Sequence, residues 1–265
     1  MQRHFQRYLA ELLGTYVLVF IGAASVIGFE RGDVAPFGFG IALLVGLYIF
    51  GDISGGHFNP IVTLSMLLDR RMDAKEVGPY WLAQFAGAVL AGLSLLLMSS
   101  SDDVAKAATV PGAHGVRGAF FAELFCSAIF MLVILVVTKS EAAKSVTYIV
   151  IGLSLLAIHF AIVPWSGSSV NPARTFGTAL IGNTWTDIWI YFVAPPAGAA
   201  LGWMIYTVVV KGDLNLKDDF ASVRTDVGSA YGRGGAPAPE GPGDGTRGTG
   251  EPPPEGPGDG TRDTA

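Results

Sequence analysis

The sequence SGSSVNPAR at residues 166–174 shares its pattern with SGGHFNPI at residues 54–61. Both copies contain Ser-Gly, three further residues and Asn-Pro, and they lie 112 positions apart. Asn-Pro is typical of a helix start, because Asn accepts a free backbone N–H of the first turn and Pro suits the next position. The apolar runs that follow, at 61–68 and 173–181, are much shorter than the about 20 residues that a bilayer crossing requires. The pattern therefore predicts two half-helices.

The composition is that of a membrane protein. Hydrophobic residues make up 51% of the chain and charged residues only 15%, whereas soluble domains carry about 25% charged residues. Because only helices and closed barrels cross a bilayer, we predict an all-α membrane protein with six transmembrane helices. Their expected bounds are about 6–28, 36–50, 79–99, 117–138, 145–163 and 187–210. A cleaved signal peptide at the N-terminus is the weaker alternative, since Glu11 is a poor residue for a signal core and five more spans follow.

Basic residues predict the orientation. With six spans, most Lys and Arg residues, such as Arg70, Arg71 and Lys139, fall on the same side as both termini. The positive-inside rule therefore places both termini in the cytoplasm of a multi-pass protein of the cell membrane, plasma or inner. Residues 1–211 form the predicted transmembrane domain, and 212–265 are a Gly-, Pro- and acid-rich tail that we expect to be disordered and cytoplasmic. The partner of this tail is unknown, and nothing in the chain points to nucleic acid.

A second repeated pair of residues supports an internal duplication. Glu11-Leu12 recurs as Glu123-Leu124 at the same spacing of 112 residues. The chain thus contains two units, at about 5–100 and 117–210, each built as helix, helix, half-helix, helix. Three full crossings per unit are an odd number, so the second unit enters the membrane inverted. The half-helices then meet at Asn59 and Asn171 near the midplane, and the turns before them line a water-filled cavity.

The two glutamates support this arrangement. A charge at the centre of a span costs about 2.5–3.5 kcal/mol on insertion scales, so Glu11 and Glu123 are not expected to face lipid. The favoured role is structural: each accepts hydrogen bonds from the backbone of the turn before a half-helix. A proton-carrying carboxylate is the alternative.

With these two Asn-Pro motifs in an inverted six-helix repeat, the chain resembles the aquaporins, the major intrinsic protein family, over about residues 5–210. The resemblance implies an hourglass pore in every subunit and assembly as a homotetramer, with water as the expected permeant. An enzyme is not expected, because the sequence shows no metal-ligand cluster and its four histidines are scattered without a nucleophile partner. No cofactor or metal is predicted. One departure is Ile61, where the family usually has Ala after Asn-Pro. We expect Ile61 to alter packing beside the midplane, and a change of pore radius stays open.

The resemblance also assigns the pore. Two facing helix N-termini carry about half a positive charge each, which repels cations and protons while neutral molecules pass. The predicted pore residues share these turns and first helical positions: the boxes Asn59, Pro60, Ile61, Asn171, Pro172 and Ala173, and the turns Gly55, Gly56, His57, Ser166 and Gly167. For His57, a pore contact and simple support of the turn are nearly equal alternatives.

Arg174 lies in the first turn of a half-helix, where the dipole disfavours a cation, and so indicates a functional demand. It matches the arginine of the family's outer constriction, whose other positions fall on Phe39, His159 and Ser168. Phe39 or His159 alone would more often be a packing residue. As a set they resemble the water-selective branch, and Thr175 stands where the glycerol branch usually has Asp. We therefore predict a water channel, with a facilitator of glycerol or another small neutral solute as the alternative and a coupled secondary transporter as the more distant one.

Overall fold

Long apolar helices dominate the computed structural model, which describes residues 2–29, 32–143, 145–213 and 216–231. In chain order the α-helices are α1 (Gln2–Phe29), α2 (Ala35–Ser54), α3 (Pro60–Leu68), α4 (Ala74–Met98), α5 (Ser101–Lys106), α6 (Gly115–Val137), α7 (Thr147–Ser166), α8 (Pro172–Ile181), α9 (Trp189–Ile205) and α10 (Leu216–Tyr231). Six are long and apolar enough to cross a membrane: α1, α2, α4, α6, α7 and α9, the last extended by a π-helical turn at Tyr206–Val210. The predicted six-helix fold class is confirmed.

Both predicted half-helices are present as α3 and α8, which contain 9 and 10 residues. Asn59 and Asn171 precede them in extended conformation, with φ of −160° and −154°. The Asn59 side chain accepts from the Ile61 N–H, and the Asn171 side chain accepts from the Ala173 and Arg174 N–H groups. Each half-helix therefore begins with the side-chain cap that the Asn-Pro sequence predicts.

The long helices make one close contact twice, at positions that the predicted duplication pairs. A Cβ added to Gly87 on α4 would lie 2.2 Å from the Leu12 carbonyl oxygen on α1. A Cβ added to Gly198 on α9 would lie 2.2 Å from the Leu124 carbonyl oxygen on α6. Glycine lets the helix backbones touch at matching points in both units, so the same close contact is made twice from equivalent residues.

The chain between the two units is more ordered than its polar sequence indicates. Within the predicted loop at about 100–116, residues Ser101–Lys106 form α5. Ser100 and Asp103 make a reciprocal capping box at its start. The Lys106 ammonium, together with the Ser100 hydroxyl and N–H, lowers the pKa of the Asp103 carboxyl. This part of the predicted loop is therefore a short capped helix.

The tail prediction is wrong for residues 216–231, which form α10 instead of disordered chain. Phe220 packs edge-on against Trp203, with ring centroids 5.0 Å apart, and Val223 is buried. The Tyr231 hydroxyl donates to the Ala74 carbonyl at 2.6 Å. Apolar residues at helical spacing give this segment a face to bury, which the Gly- and Pro-rich composition of the whole tail obscures. Residues 232–265 lie outside the described residues.

Candidate pore

Glu11 holds the turn that leads into α3. Its carboxylate is fully buried and accepts from the Ser54 hydroxyl at 2.6 Å and the His57 N–H at 2.9 Å. It also accepts from the Phe58 N–H at 2.7 Å and the Gln84 amide at 2.8 Å. Four donors on one carboxylate lock the backbone that irregular structure at membrane depth would otherwise leave unpaired.

Glu123 does the same for the turn that leads into α8. It accepts from the Ser166 hydroxyl, the Ser169 N–H and the Val170 N–H, each at 2.7 Å. Each of these partners lies 112 positions after its counterpart at Glu11. The structure therefore places both glutamates where a turn-supporting carboxylate is expected.

Glycines and tyrosines complete the two turns. Gly55 and Gly167 end α2 and α7 in the left-handed region, with φ of 96° and 72°, a conformation that glycine adopts without steric cost. The Tyr80 hydroxyl donates to the Ser54 carbonyl at 2.6 Å, and the Tyr191 hydroxyl donates to the Ser166 carbonyl at 2.7 Å. The predicted turn residues are thus fixed in matching geometry.

The two Asn caps meet where the half-helices begin. The Asn59 amide donates to the Val170 carbonyl at 2.8 Å, and the Asn171 amide donates to the Phe58 carbonyl at 2.9 Å. Phe58 and Val170 have φ of 48° and 50°, a region that is costly for residues with bulky side chains. The side-chain oxygen of each Asn therefore accepts hydrogen bonds from its own half-helix, and one amide N–H donates to the opposite turn. The second amide N–H is left to donate into the cavity.

A cavity of about 50 Å³ runs past both caps. The polar residues in its wall include Asn59, Asn171, His57 and Arg174, together with Gly55 and Gly56, while much of the remaining wall consists of Leu, Ile and Phe side chains. A narrow passage with a few polar groups along an otherwise apolar wall suits a small number of water molecules in file.

The constriction residues come together with one exception. The rings of Phe39 and His159 stack with centroids 5.0 Å apart, and the Arg174 guanidinium lies 4.6 Å from the Phe39 centroid. All three border the cavity. Ser168 is buried, but it is not part of the cavity wall formed by the described residues. The next residue, Ser169, does border the cavity.

The polar atoms at this constriction are arranged as donor and acceptor. The His159 Nδ1 lies 3.0 Å from the Leu155 carbonyl, which can only accept, so in a neutral imidazole Nδ1 carries the proton and Nε2 is an acceptor. The Arg174 Nη1 donates to the Ala107 carbonyl at 2.8 Å. His159 Nε2 and Arg174 Nε are both buried, and neither has a hydrogen-bond partner among the described residues. They offer one acceptor and one donor to a molecule passing between them.

Ile61 does not border the pore cavity. It is fully buried and lines a separate cleft of about 190 Å³ with Pro60, Pro172 and Trp81. The change from the family's usual Ala therefore affects the packing between α3 and α4, and the cavity wall near the caps is formed by Val62 instead.

Two parts of the pore were not found from the sequence. At the end opposite Arg174, Tyr148 borders the cavity and its hydroxyl donates to Asp52 at 2.5 Å. At the Arg174 end, the Ala107 carbonyl holds the guanidinium. A backbone carbonyl carries no sequence signal, whereas a tyrosine early in a span could have been recognised as a polar residue in an apolar run.

Most of the chain matches a known protein family. The family model described as major intrinsic protein matches residues 1–206. The chain belongs to the major intrinsic protein family. Members of this family are channels rather than enzymes, so the protein is a multi-pass membrane channel.

Relatives within the family differ in their named permeants. Glycerol uptake facilitator protein-like 6 of Lactiplantibacillus plantarum is 39% identical over 206 residues, which cover 74% of this chain and 94% of the relative. Aquaporin Z of Rhodopseudomonas palustris is 35% identical over 222 residues, covering 77% and 92%. The X-ray structure of the aquaglyceroporin from Plasmodium falciparum aligns with a TM-score of 0.72 at 25% identity, covering 78% of this chain and 97% of that one. Similarity thus identifies the family, and the permeant has to be inferred from the pore.

Proposed function

We propose that the protein is a passive water channel that excludes protons and ions. The observation that supports this most is the constriction, where a guanidinium lies 4.6 Å from a phenyl ring that is itself stacked on an imidazole. Three bulky side chains in contact leave an aperture suited to one water molecule. A solute with a carbon chain needs a wider opening with apolar surface along one side.

Exclusion of protons follows from the two caps. The N-termini of α3 and α8 bring partial positive charge to the same point of the cavity, and Asn59 and Asn171 each keep one N–H for a passing oxygen. A water molecule that accepts from both points its own hydrogens away along the pore. It cannot then accept a proton from a neighbour, while its neutral passage continues.

The same proposal includes the arrangement in the membrane. The meeting of two half-helix N-termini supports an inverted repeat, and the distribution of basic residues supports cytoplasmic termini in the cell membrane. Assembly as a homotetramer is carried over from the family resemblance. The proposed pore-lining residues are those of the predicted set that border the cavity: Gly55, Gly56, His57, Asn59, Asn171, Phe39, His159 and Arg174. The other predicted box, turn and constriction residues, Ile61 and Ser168 among them, are not in the cavity wall formed by the described residues.

A facilitator of glycerol or a similar neutral solute is the second candidate, because a glycerol uptake facilitator-like protein is 39% identical to this chain. A coupled transporter is less supported. Among the described residues, no Asp or Glu borders the cavity to bind a driving ion.

Stopped-flow light scattering on proteoliposomes tests the proposal. We expect faster osmotic shrinkage than in empty liposomes, with a low activation energy, while glycerol entry and proton flux stay near background. His159→Gly combined with Phe39→Trp should admit glycerol, since it replaces the imidazole by space. Equal acceleration of water and glycerol by the parent protein would favour the second candidate and reject water selectivity.

A further inference from the structure

The loop between the two units lies directly on the turn that leads into α8. The Gly112 N–H donates to the Trp165 carbonyl at 2.8 Å, at the end of α7. A Cβ added to Gly167 would lie 3.1 Å from the Thr109 Cα and 3.3 Å from the Val110 nitrogen. This close seating brings the Ala107 carbonyl to the Arg174 guanidinium, so part of the constriction is supplied by the loop rather than by a membrane helix.

A chain of three buried hydroxyls joins this loop to α8. The Thr109 and Thr175 hydroxyls lie 2.8 Å apart, and the Thr175 and Ser169 hydroxyls lie 2.6 Å apart. Ser169 in turn donates to the Asn171 carbonyl at 3.0 Å. The three side chains are at most 3% exposed, and of the three only Ser169 borders the cavity formed by the described residues.

The donors in this chain follow from the hydrogen inventory. A hydroxyl has one hydrogen to donate, and Ser169 uses its hydrogen on the Asn171 carbonyl. Thr175 must therefore donate to Ser169, and Thr109 must donate to Thr175. Bonds ordered in one direction polarise each other in a low dielectric. Loss of the Thr109 or Thr175 hydroxyl removes the bond that joins the loop to α8, while Ser169 keeps its contacts with Asn171.

The equivalent position in the first unit is bonded differently. Thr63 precedes Thr175 by 112 residues, and its hydroxyl lies 3.0 Å from His57 Nδ1 and 3.0 Å from the Gln84 amide nitrogen. Both partners belong to the same unit as Thr63. Only Thr175 of these two threonines reaches the loop between the units, and it is adjacent to the arginine of the constriction.

We propose that Thr109 and Thr175 are positioning residues for Arg174. Their hydroxyl pair fixes the loop two residues from Ala107, whose carbonyl then holds the guanidinium against Phe39 and keeps carbon-chain solutes out. Without the pair, Arg174 retains a longer contact of 3.5 Å to the Thr178 hydroxyl and the ring of Phe39, and the guanidinium gains freedom to leave the aperture. This assignment rests on the proposed constriction at Arg174.

Isosteric variants test the pair. Thr109→Val and Thr175→Val keep the side-chain shape and remove the hydroxyl, whereas Thr109→Ser and Thr175→Ser keep the hydroxyl. In full-length protein reconstituted at matched density, each Val variant should raise the ratio of glycerol to water permeability by about three- to tenfold, the equivalent of one buried hydrogen bond. The Ser variants should stay near the parent ratio. The double Val variant should match Thr175→Val, because that single variant already lacks the bond between Thr109 and Thr175.

Thr63→Val is the matched control. It removes the corresponding hydroxyl in the first unit, and it should lower thermal stability without changing the glycerol-to-water ratio. If Thr175→Val does not fold, Thr109→Val in the loop carries the same test. Val variants with the parent ratio, or Ser variants as leaky as Val variants, would overturn the positioning role and leave water selectivity standing.

The parent protein separates the two proposals. If the parent itself passes glycerol as fast as water, the proposed selectivity fails. The positioning role is then measured with a series of longer polyols, erythritol and xylitol, because a freed guanidinium still moves the size limit upward. An unchanged size limit in the Val variants overturns the positioning role in that case as well.

Discussion

The two half-helices, α3 and α8, are built on the same supports and end in different chemistry. Each begins at an Asn cap, and each follows a turn that is held by a buried glutamate and by a tyrosine hydroxyl that donates to a serine carbonyl. The equivalent residues lie 111 or 112 positions apart. At the second position after the Pro, however, α3 carries Val62 and α8 carries Arg174. The shared contacts hold the two caps together, and under the proposed function the residues that differ select the permeant.

The far ends of the half-helices also differ. Asp69, at the end of α3, is buried against Arg71 and Lys211, and Arg71 donates in turn to the Leu135 carbonyl at 2.9 Å. The end of α8 instead meets the loop between the units, where Ser101 donates to the Ile181 carbonyl at 3.0 Å. The end of α3 is anchored by ion pairs of Asp69 with Arg71 and with Lys211, and Arg71 links it to α6 by a hydrogen bond. The end of α8 is anchored by a neutral hydrogen bond to α5.

The largest expected effect comes from the shared supports. Glu11→Ala and Glu123→Ala each strand several buried donors, at about 1–3 kcal/mol for each donor, a sum comparable with the total stability of a typical domain. We expect both variants to lose monodisperse protein on size-exclusion chromatography. Glu11→Gln and Glu123→Gln, which keep one acceptor, should be intermediate. A variant at either site that remains monodisperse and conducts like the parent would show that the two turns are not held by their carboxylates.

Arg174→Val gives the next largest effect, since it makes α8 resemble α3 at this position. Removal of the guanidinium widens the aperture and removes its charge, so glycerol permeability should rise by about tenfold or more, the equivalent of at least 1.4 kcal/mol at the barrier. The control is Val62→Ala, which shortens the equivalent side chain near the caps and should leave the permeability ratio unchanged. Glycerol exclusion that survives Arg174→Val would move the selective step away from this end of the pore.

Much of this comparison was predictable from residue types and spacing. Asn-Pro predicts a capped helix start from local stereochemistry, and the spacing of 112 residues pairs Glu11 with Glu123 before any coordinates are known. Contacts between residues that are distant in the sequence were not predictable. The Ala107 carbonyl at Arg174 is such a contact, as is the packing of Phe220 on Trp203 that orders α10. The direction in which Ile61 points also depends on the placement of α4, which the sequence alone does not specify.

Exchanging Ile61 and Ala173 tests how the two half-helices differ in packing at the position after the Pro. Ile61→Ala opens space in a buried site and should cost about 2–5 kcal/mol of stability, with water permeability unchanged because Ile61 does not border the pore cavity. Ala173→Ile overpacks the small cluster that Ala173 forms with Val19 and Ala88, at about 1–3 kcal/mol or more. Thermal unfolding and stopped-flow permeability of the same samples check both. Slower water flow in Ile61→Ala would show that this residue shapes the pore after all.

The smallest effect is expected at the end of the pore opposite Arg174. The Tyr148 hydroxyl donates to Asp52 at 2.5 Å, whereas the residues 112 positions away from them are Pro36 and Pro164, which cannot form a side-chain hydrogen bond. Because Asp52 is exposed, this bond contributes at most about 0.5–1.5 kcal/mol. Tyr148→Phe and Asp52→Ala should therefore each lower the melting temperature slightly, and the double variant should fall no further than either single one. The glycerol-to-water ratio should stay at the parent value in all three, since Arg174 is untouched. A change in that ratio would mean that both ends of the pore select the permeant. The two units would then be more alike in function than the sequences of α3 and α8 indicate.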